Sequence, residues 1–176
     1  MTAQVDFHTG LADKLGHACR LLRKAYRAGH RVVVTGAPEQ LARLDSQLWT
    51  FDVGEFIPHA RLRQGQPVPP RLAATPVWLA DVPADAGIDD VLVNLGPDPV
   101  HGLARYRRVI ELVADDADDV AEGRQRWRQY VAAGINPVDD KVREGYLAGL
   151  IDTMFPAVPG WDVAGIVVRP GLDTPE

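Results

Sequence analysis

The chain is 176 residues long, has a formal net charge of -5 and is 46% hydrophobic, which fits one compact domain with room for an appendage and excludes a wholly disordered chain. Its single cysteine excludes an internal disulfide framework, and its negative charge argues against a protein that coats duplex DNA. It lacks both an apolar run of ~20 residues and a secretory leader, so a cytoplasmic protein without membrane contact is predicted.

Strand and helix patterns alternate through the first fifty residues. A short strand over 5–8 precedes a helix over 11–27, in which apolar residues recur at helical spacing. The apolar, β-branched run 31–35 is typical of a buried parallel strand, and a second helix is predicted over 39–49. Cys19 lies near the apolar face of the first helix, and we expect it to pack there as a small buried residue.

The middle of the chain reads as further strands followed by one more helix. Residues 55–59 are predicted to be a short edge segment because they contain a proline, and 61–75 a loop because of their breakers. Three strands are predicted at 76–80, 90–95 and 108–113. Acidic residues open a last helix that runs to about Ala133. This order predicts an α/β layered domain with a largely parallel sheet flanked by helices.

From Asn136 onward the pattern changes. Glycine and proline punctuate short apolar pieces, and no periodicity comparable to that of the first helix recurs. The sequence therefore predicts a domain over 1–136 and an irregular C-terminal extension over 137–176.

The motifs of common catalytic and cofactor sites are missing. The run that ends at Gly36 leads from a strand into a helix, but it lacks the G-x-G-x-x-G fingerprint, and the chain has neither a phosphate-binding P-loop nor a G-x-S-x-G elbow. The five histidines are scattered, and none stands at a recognised metal-ligand spacing. We therefore predict no catalytic residue, no metal and no cofactor. A nucleotide-binding regulator built on the sheet stays open as an alternative.

One face of the last helix could bind a carboxylate. Arg124, Trp127 and Arg128 stand at i, i+3 and i+4, so they share a face on which two guanidiniums flank an indole. Such a face suits a carboxylate attached to an apolar group. Spacing alone favours the simpler interpretation, a basic helix end with a partly buried tryptophan.

A second candidate surface is apolar. Trp49, Phe51, Phe56 and Ile57 cluster in sequence beside Pro58. Large apolar groups around a loop can form a partner-binding surface, or they can close over the core. Spacing does not separate these two possibilities.

Several blocks, taken in order, resemble the chi subunit family of bacterial DNA polymerase III over about residues 4–136. The most specific is Leu48-Trp49-Thr50-Phe51 followed by Phe56-Ile57-Pro58-His59. The others include Val5-Asp6-Phe7, Gly29-His30-Arg31-Val32-Val33-Val34, Thr75-Pro76-Val77-Trp78-Leu79, Val91-Leu92-Val93-Asn94-Leu95 and Gly123-Arg124-Gln125-Arg126-Trp127-Arg128-Gln129-Tyr130.

This resemblance implies a non-catalytic clamp-loader accessory subunit with a Rossmann-like fold. It further implies two partners, the psi subunit and the acidic C-terminal tail of single-stranded-DNA-binding protein, which ends in a phenylalanine carboxylate. The residues matching the family's tail-binding positions are Arg124, Trp127, Arg128 and Val113. Those at its psi-binding positions are Phe56, Trp49 and Pro58. The resemblance therefore favours the carboxylate-binding interpretation of the last helix.

The segment after Asn136 resembles a different family. Its blocks, among them Phe155-Pro156-Ala157-Val158-Pro159-Gly160-Trp161-Asp162, resemble the quinone-oxidoreductase-like medium-chain dehydrogenases near the start of their GroES-like domain. The segment lacks that family's nucleotide-binding domain and most of its β-barrel, so a fused fragment without hydride transfer is predicted. A truncated NADPH-dependent quinone oxidoreductase is the alternative function.

Overall fold

The computed structural model describes residues 4–135 and 137–139. Within them lie strands and α-helices whose bounds are β1 Gln4–Leu11, α1 Lys14–Arg27, β2 Val32–Thr35, α2 Pro38–Thr50, β3 His59–Leu62, β4 Val77–Ala80, β5 Val91–Asn94, β6 Arg108–Ala114, α3 Ala117–Ala132 and β7 Val138–Asp139. Short 3-10 turns stand at Pro70–Leu72, Pro83–Ala86 and Leu103–Arg105. Almost all of the predicted extension over 137–176 lies outside the described residues.

The strands form one sheet in the order β3-β4-β2-β5-β6-β1-β7. Every strand pair in the described part of the chain is parallel. The predicted Rossmann-like α/β fold with a largely parallel sheet is confirmed. The carboxyl ends of parallel strands lie at one edge of the sheet, so the loops that follow β1, β2, β4, β5 and β6 are gathered there.

Helices cover the sheet on both faces. Val32 and Val34 of β2 pack in the cluster that contains the buried residues of α1 and α2, whereas Val33 packs in the cluster that contains Tyr130 of α3. All three valines are fully buried. A strand covered on both faces reads as a continuous apolar run, which is why 31–35 indicated a buried parallel strand. Cys19 is fully buried between α1 and the sheet, as predicted.

The first helix begins three residues later than its apolar periodicity suggested. Asp13 is its N-cap, and its carboxylate accepts a hydrogen bond from the backbone N–H of Gly16 at 2.9 Å. A side chain that satisfies one of the first free N–H groups fixes where a helix starts. Residue 11 therefore remains in β1, which extends from Gln4 to Leu11.

The predicted edge segment and loop after α2 need correction. The edge strand β3 begins only at His59, so Arg61 and Leu62 belong to the sheet and not to the predicted loop. Leu62 is buried, and Arg61 pairs with Asp81 just after β4 at 3.0 Å. These long-range contacts hold a strand whose local sequence gives only a weak signal, since β propensity depends on neighbouring strands.

Candidate protein-binding sites

A cavity of about 600 Å³ opens at the carboxyl ends of β1 and β6, against α3. We call it the α3 cavity. Its lining comprises Phe7, Thr9, Gly10, Val113, Asp115, Val120, Gly123, Arg124, Trp127 and Arg128. All four residues assigned to tail binding by resemblance therefore meet in one concave site.

The start of α3 is fixed by its acidic first turn. The carboxylate of the N-cap Asp116 accepts a hydrogen bond from the N–H of Asp119 at 3.0 Å. Asp119 in turn accepts from the backbone N–H of Ala114 at 2.6 Å and from Lys14 Nζ at 2.7 Å. The carboxylates also suit the positive end of the helix dipole. These contacts attach the N-terminus of α3 to the end of β6 and to α1.

A glycine lets α3 approach the sheet closely. A Cβ atom at Gly123 would lie 2.8 Å from Cγ2 and 3.0 Å from Cγ1 of Val113. Such distances are shorter than a van der Waals contact, so a side chain at this position would push the helix off β6. The glycine brings the helix against Val113 and places the next residue, Arg124, beside the cavity.

Two aromatic residues form the apolar side of the cavity. The rings of Phe7 and Trp127 meet edge to face, with centroids 5.0 Å apart and an interplanar angle of 61°. Phe7 is buried in the core, whereas Trp127 is only half-buried. An edge-to-face pair of this kind favours one ring orientation. The indole is therefore held in place while part of it stays available to a ligand.

The charged groups of the cavity favour a negatively charged ligand. Arg124 and Arg128 are exposed, and within residues 4–135 and 137–139 neither guanidinium has a hydrogen bond or ion pair. Among the described residues that line the cavity, Asp115 alone is acidic, so these residues carry two positive charges against one negative charge. The cavity is locally positive on a chain of net charge -5.

A second surface lies at the end of α2 and just before β3. Trp49 and Phe56 are 61% and 54% exposed, and their ring centroids are 5.2 Å apart. The ring of His59 packs against that of Trp49, with centroids 5.1 Å apart. Pro58 follows Phe56 by two residues and is half-buried. We call Trp49, Phe56 and Pro58 the aromatic patch.

Comparison with known proteins identifies the family. The family model "DNA polymerase III chi subunit, HolC" matches residues 1–138. This chain belongs to the DNA polymerase III chi subunit family. It is 32% identical over 142 residues to the DNA polymerase III subunit chi of Pseudomonas aeruginosa, covering 78% of this chain and 94% of that protein. The family predicted by resemblance is therefore confirmed.

Two further similarities show less: one is confined to a short stretch, and the other has low sequence identity. A stretch of 40 residues is 50% identical to the chloroplastic quinone-oxidoreductase homolog of Spinacia oleracea, which is 23% of this chain but only 12% of that protein. Among solved structures, the C-terminal domain of Saccharomyces cerevisiae Dbp5, bound to Gle1 and IP6, superposes with a TM-score of 0.52 at 10% identity, covering 87% of this chain and 100% of that one. This second likeness shows the α/β fold alone.

Sequence reasoning missed a buried polar network beneath α3. The Arg126 guanidinium donates to the Glu111 carboxylate of β6, with Nε and Oε2 2.8 Å apart, and both side chains are fully buried. Tyr130 donates to the other carboxylate oxygen at 2.5 Å, and Asn94 donates to both. The hydroxyl of Tyr130 also accepts from the N–H of Val100 at 2.9 Å. The network ties α3 to β5, β6 and the loop between them.

The signal for this network was present in the sequence. Arg126 stands three residues after Gly123 and four before Tyr130, both of which face the sheet, so an arginine occupied the buried face of the helix. Glu111 likewise interrupted an apolar strand. The network perturbs its own groups. Burial raises the pKa of the Glu111 carboxyl, an effect that the Arg126 charge opposes, and burial next to Glu111 raises the pKa of Tyr130.

A second cavity, of about 520 Å³, lies at the carboxyl ends of β2, β4 and β5. Open α/β sheets often bind ligands at such a place. Here Asp81 and Asp98 contribute to the lining, and none of the lining residues that the structure describes is a lysine or arginine. This charge does not favour the phosphates of a nucleotide, the alternative considered from sequence.

Two further observations concern ligands and location. In the described part of the chain, no group of three or more His, Cys, Asp and Glu side chains is arranged to hold a metal ion. The ring nitrogens His8 Nδ1 and His17 Nε2 lie 2.9 Å apart, a contact that the nine-residue spacing of these histidines did not indicate. None of the helices within these same residues has the length and apolar character needed to cross a membrane.

Proposed function

We propose that this chain is a non-catalytic accessory subunit that joins the clamp loader of the replicative polymerase to single-stranded-DNA-binding protein. Membership of the chi family supports the replisome role. Each of the two proposed partners is assigned to a surface of its own, one to the α3 cavity and the other to the aromatic patch. Each assignment combines the family resemblance with the geometry of that surface.

The α3 cavity binds the acidic C-terminal tail of single-stranded-DNA-binding protein. The observation that carries this proposal is the pair of guanidiniums of Arg124 and Arg128, which have no ion pair among the described residues, beside the half-buried indole of Trp127. Arginine suits a carboxylate because its planar group can donate two parallel hydrogen bonds. The apolar wall of Trp127 and Val113 accepts the phenyl ring of the terminal residue. A volume of about 600 Å³ is within the range typical of small-ligand sites, ~300–1,000 Å³.

Calorimetry with an acidic peptide that ends in a free phenylalanine carboxylate tests this site. Arg124→Ala should weaken binding roughly ten- to hundred-fold, because a hydrogen bond to a charged group is worth about 1.5–3 kcal/mol. The control is Arg105→Ala, which removes an exposed arginine from the opposite end of β6 and should leave the affinity unchanged. Equal affinity of the Arg124→Ala variant and the unaltered protein would refute the site.

The aromatic patch binds the psi subunit. Its support is the exposure of two large apolar side chains, Trp49 and Phe56, in contact with each other. Water-exposed aromatic groups of this size often supply most of the binding energy at an interface. Loss of the phenyl ring should therefore remove an anchor of the contact.

Co-purification with psi tests the patch. Phe56→Ala should abolish or strongly reduce the psi that is retained, since truncation of a central aromatic typically costs 2 kcal/mol or more, about thirty-fold in affinity. Val131→Ala is the matched control, because Val131 of α3 is similarly exposed at 52%. Retention of psi by the Phe56→Ala variant at the level of the control would count against the assignment. Neither variant should alter binding of the tail peptide.

A further inference from the structure

The segment between α2 and β3 carries Phe56, and the turn just before Phe56 has little apolar anchoring of its own. Residues 51–58 form neither helix nor strand, and Val53 at their centre is fully exposed. Phe51 at its start is partly buried against the core, and Ile57 near its end is buried, so the core holds the segment at these two points. Between these two points, residues 52–55 have no buried apolar side chain, so the conformation of this turn depends on polar contacts.

Those contacts come from α1. Arg23 Nη1 lies 2.8 Å from Asp52 Oδ2. Four residues later on the same helix face, the Arg27 guanidinium makes two contacts with Glu55, Nε to Oε1 at 2.9 Å and Nη2 to Oε2 at 2.6 Å. Two arginines one helical turn apart thus engage the acidic residues at both ends of the turn.

The turn itself is shaped around the same groups. Asp52 Oδ1 accepts a hydrogen bond from the N–H of Gly54 at 2.9 Å, while the other carboxylate oxygen meets Arg23. The hydrogen bond from Gly54 and the charge of Arg23 lower the pKa of Asp52. Arg23 also stacks over the ring of Phe51, 5.4 Å from its centroid. The charges therefore define both the conformation of the turn and its distance from α1.

We propose that Arg23 and Arg27 are positioning residues for the aromatic patch. They hold the turn so that Phe56 stays beside Trp49 before any partner arrives. The consequence for binding rests on the proposed psi site. A partner that meets a preformed patch does not lose affinity to the ordering of this segment. Since both pairs are partly exposed, the ordering weakens as ionic strength rises.

Limited digestion with chymotrypsin tests the ordering in the isolated protein, without psi. Cleavage after Phe51 and Phe56, followed by mass spectrometry, should be several-fold faster in Arg27→Glu than in the unaltered protein. The double variant Arg27→Glu with Glu55→Arg reverses both charges and should restore slow cleavage. Arg20→Glu is the matched control, since it makes the same charge change on an exposed residue of α1 that has no ion pair within the described residues. Unchanged cleavage in Arg27→Glu would overturn the proposal.

Affinity for psi then tests the consequence. Arg27→Glu should weaken psi binding roughly three- to ten-fold, and the charge-swapped double variant should recover it. If Arg27→Glu weakens binding but the swap does not restore it, Arg27 contacts psi directly and the positioning role is wrong. If Phe56→Ala leaves psi binding intact, the proposed psi site fails, while the digestion still decides whether the arginines order the turn. Affinity for the tail peptide should stay constant in all of these variants.

Discussion

At the α3 cavity, buried contacts hold in place the groups that would meet a ligand, whereas at the aromatic patch partly exposed ion pairs do so. The cavity is supported by the close packing of Gly123 against Val113 and by the fully buried ion pair of Arg126 and Glu111. The patch depends on ion pairs whose side chains are between 20% and 61% exposed to solvent. Buried pairs are screened little by salt, and exposed pairs are screened strongly.

This difference suggests why the two surfaces differ in form. The cavity is concave, and its arginines form no ion pair within the described residues, because a different arginine, Arg126, makes the buried ion pair that holds α3 in place. The patch is an exposed apolar surface whose neighbouring charges are already used within the chain. A small charged peptide suits the first surface, and a larger protein with an apolar face suits the second.

The largest effect is expected from removing the buried support. Arg126→Ala should lower the free energy of unfolding by about 3–5 kcal/mol, because it leaves the Glu111 charge buried and unpaired. Arg124→Ala, two residues away and exposed, should change it by no more than about 0.5 kcal/mol. Urea denaturation of the two variants measures both values. Similar losses in the two would show that the two arginines do not have separate roles.

A milder variant covers the case in which Arg126→Ala fails to fold. Tyr130→Phe removes the hydroxyl that joins Glu111 and Val100, and should cost about 1–3 kcal/mol. If the network serves the cavity, this variant should also weaken binding of the tail peptide without affecting psi.

An intermediate effect is expected where α3 meets β6. In Gly123→Ala the new methyl group would overlap the two methyl groups of Val113, at a cost of about 1–3 kcal/mol, which the better helix propensity of alanine offsets by about 1 kcal/mol. The clash should dominate in its effect on binding, because the helix must shift and move Arg124. Calorimetry should show weaker binding of the tail peptide with psi binding unchanged. Unaltered peptide affinity would mean that the helix position does not control the cavity.

The smallest effect concerns the core beneath the patch. Burial, reinforced by the nearby charge of Asp13, raises the pKa of the Cys19 thiol to about 11. Iodoacetamide at pH 8.5 should therefore modify Cys19 only slowly in the folded protein, and Arg27→Glu should not accelerate it, because that variant releases only the exposed turn. Faster alkylation in Arg27→Glu would show that the loosening spreads into the α1–α2 core.

The same thiol gives a pH dependence with a defined sign. The pKa of Cys19 in the folded protein is above the ordinary thiol value of about 8.5. Its contribution to the free energy of unfolding is complete below that pH and is lost as the pH rises towards 11. Cys19→Ala should flatten this part of the profile in urea denaturation measured between pH 8 and pH 10.5.

The sequence indicated the two surfaces unequally. The i, i+3, i+4 spacing placed Arg124, Trp127 and Arg128 on one helix face, and the structure shows that this face borders a cavity. The spacing did not bring in Val113, which came only from the family resemblance, because contact between a strand and a helix ten residues later depends on how closely they pack. The edge segment predicted at 55–59 lies several residues before the observed β3 at His59–Leu62. The reason is similar, because pairing with β4 across the intervening loop decides which residues join the sheet.

The sequence by itself determined the α/β class, the parallel sheet, the helix that carries the arginines and the family. These follow from local periodicity, from capping residues and from motifs that are contiguous in the chain. Only the tertiary structure decided that Arg124 faces a cavity while Arg126 is buried on Glu111, and that Arg23 and Arg27 hold the turn before Phe56. The physical reason is that an ion pair depends on distance in space, and the partners of these arginines lie 15 to 29 residues away along the chain.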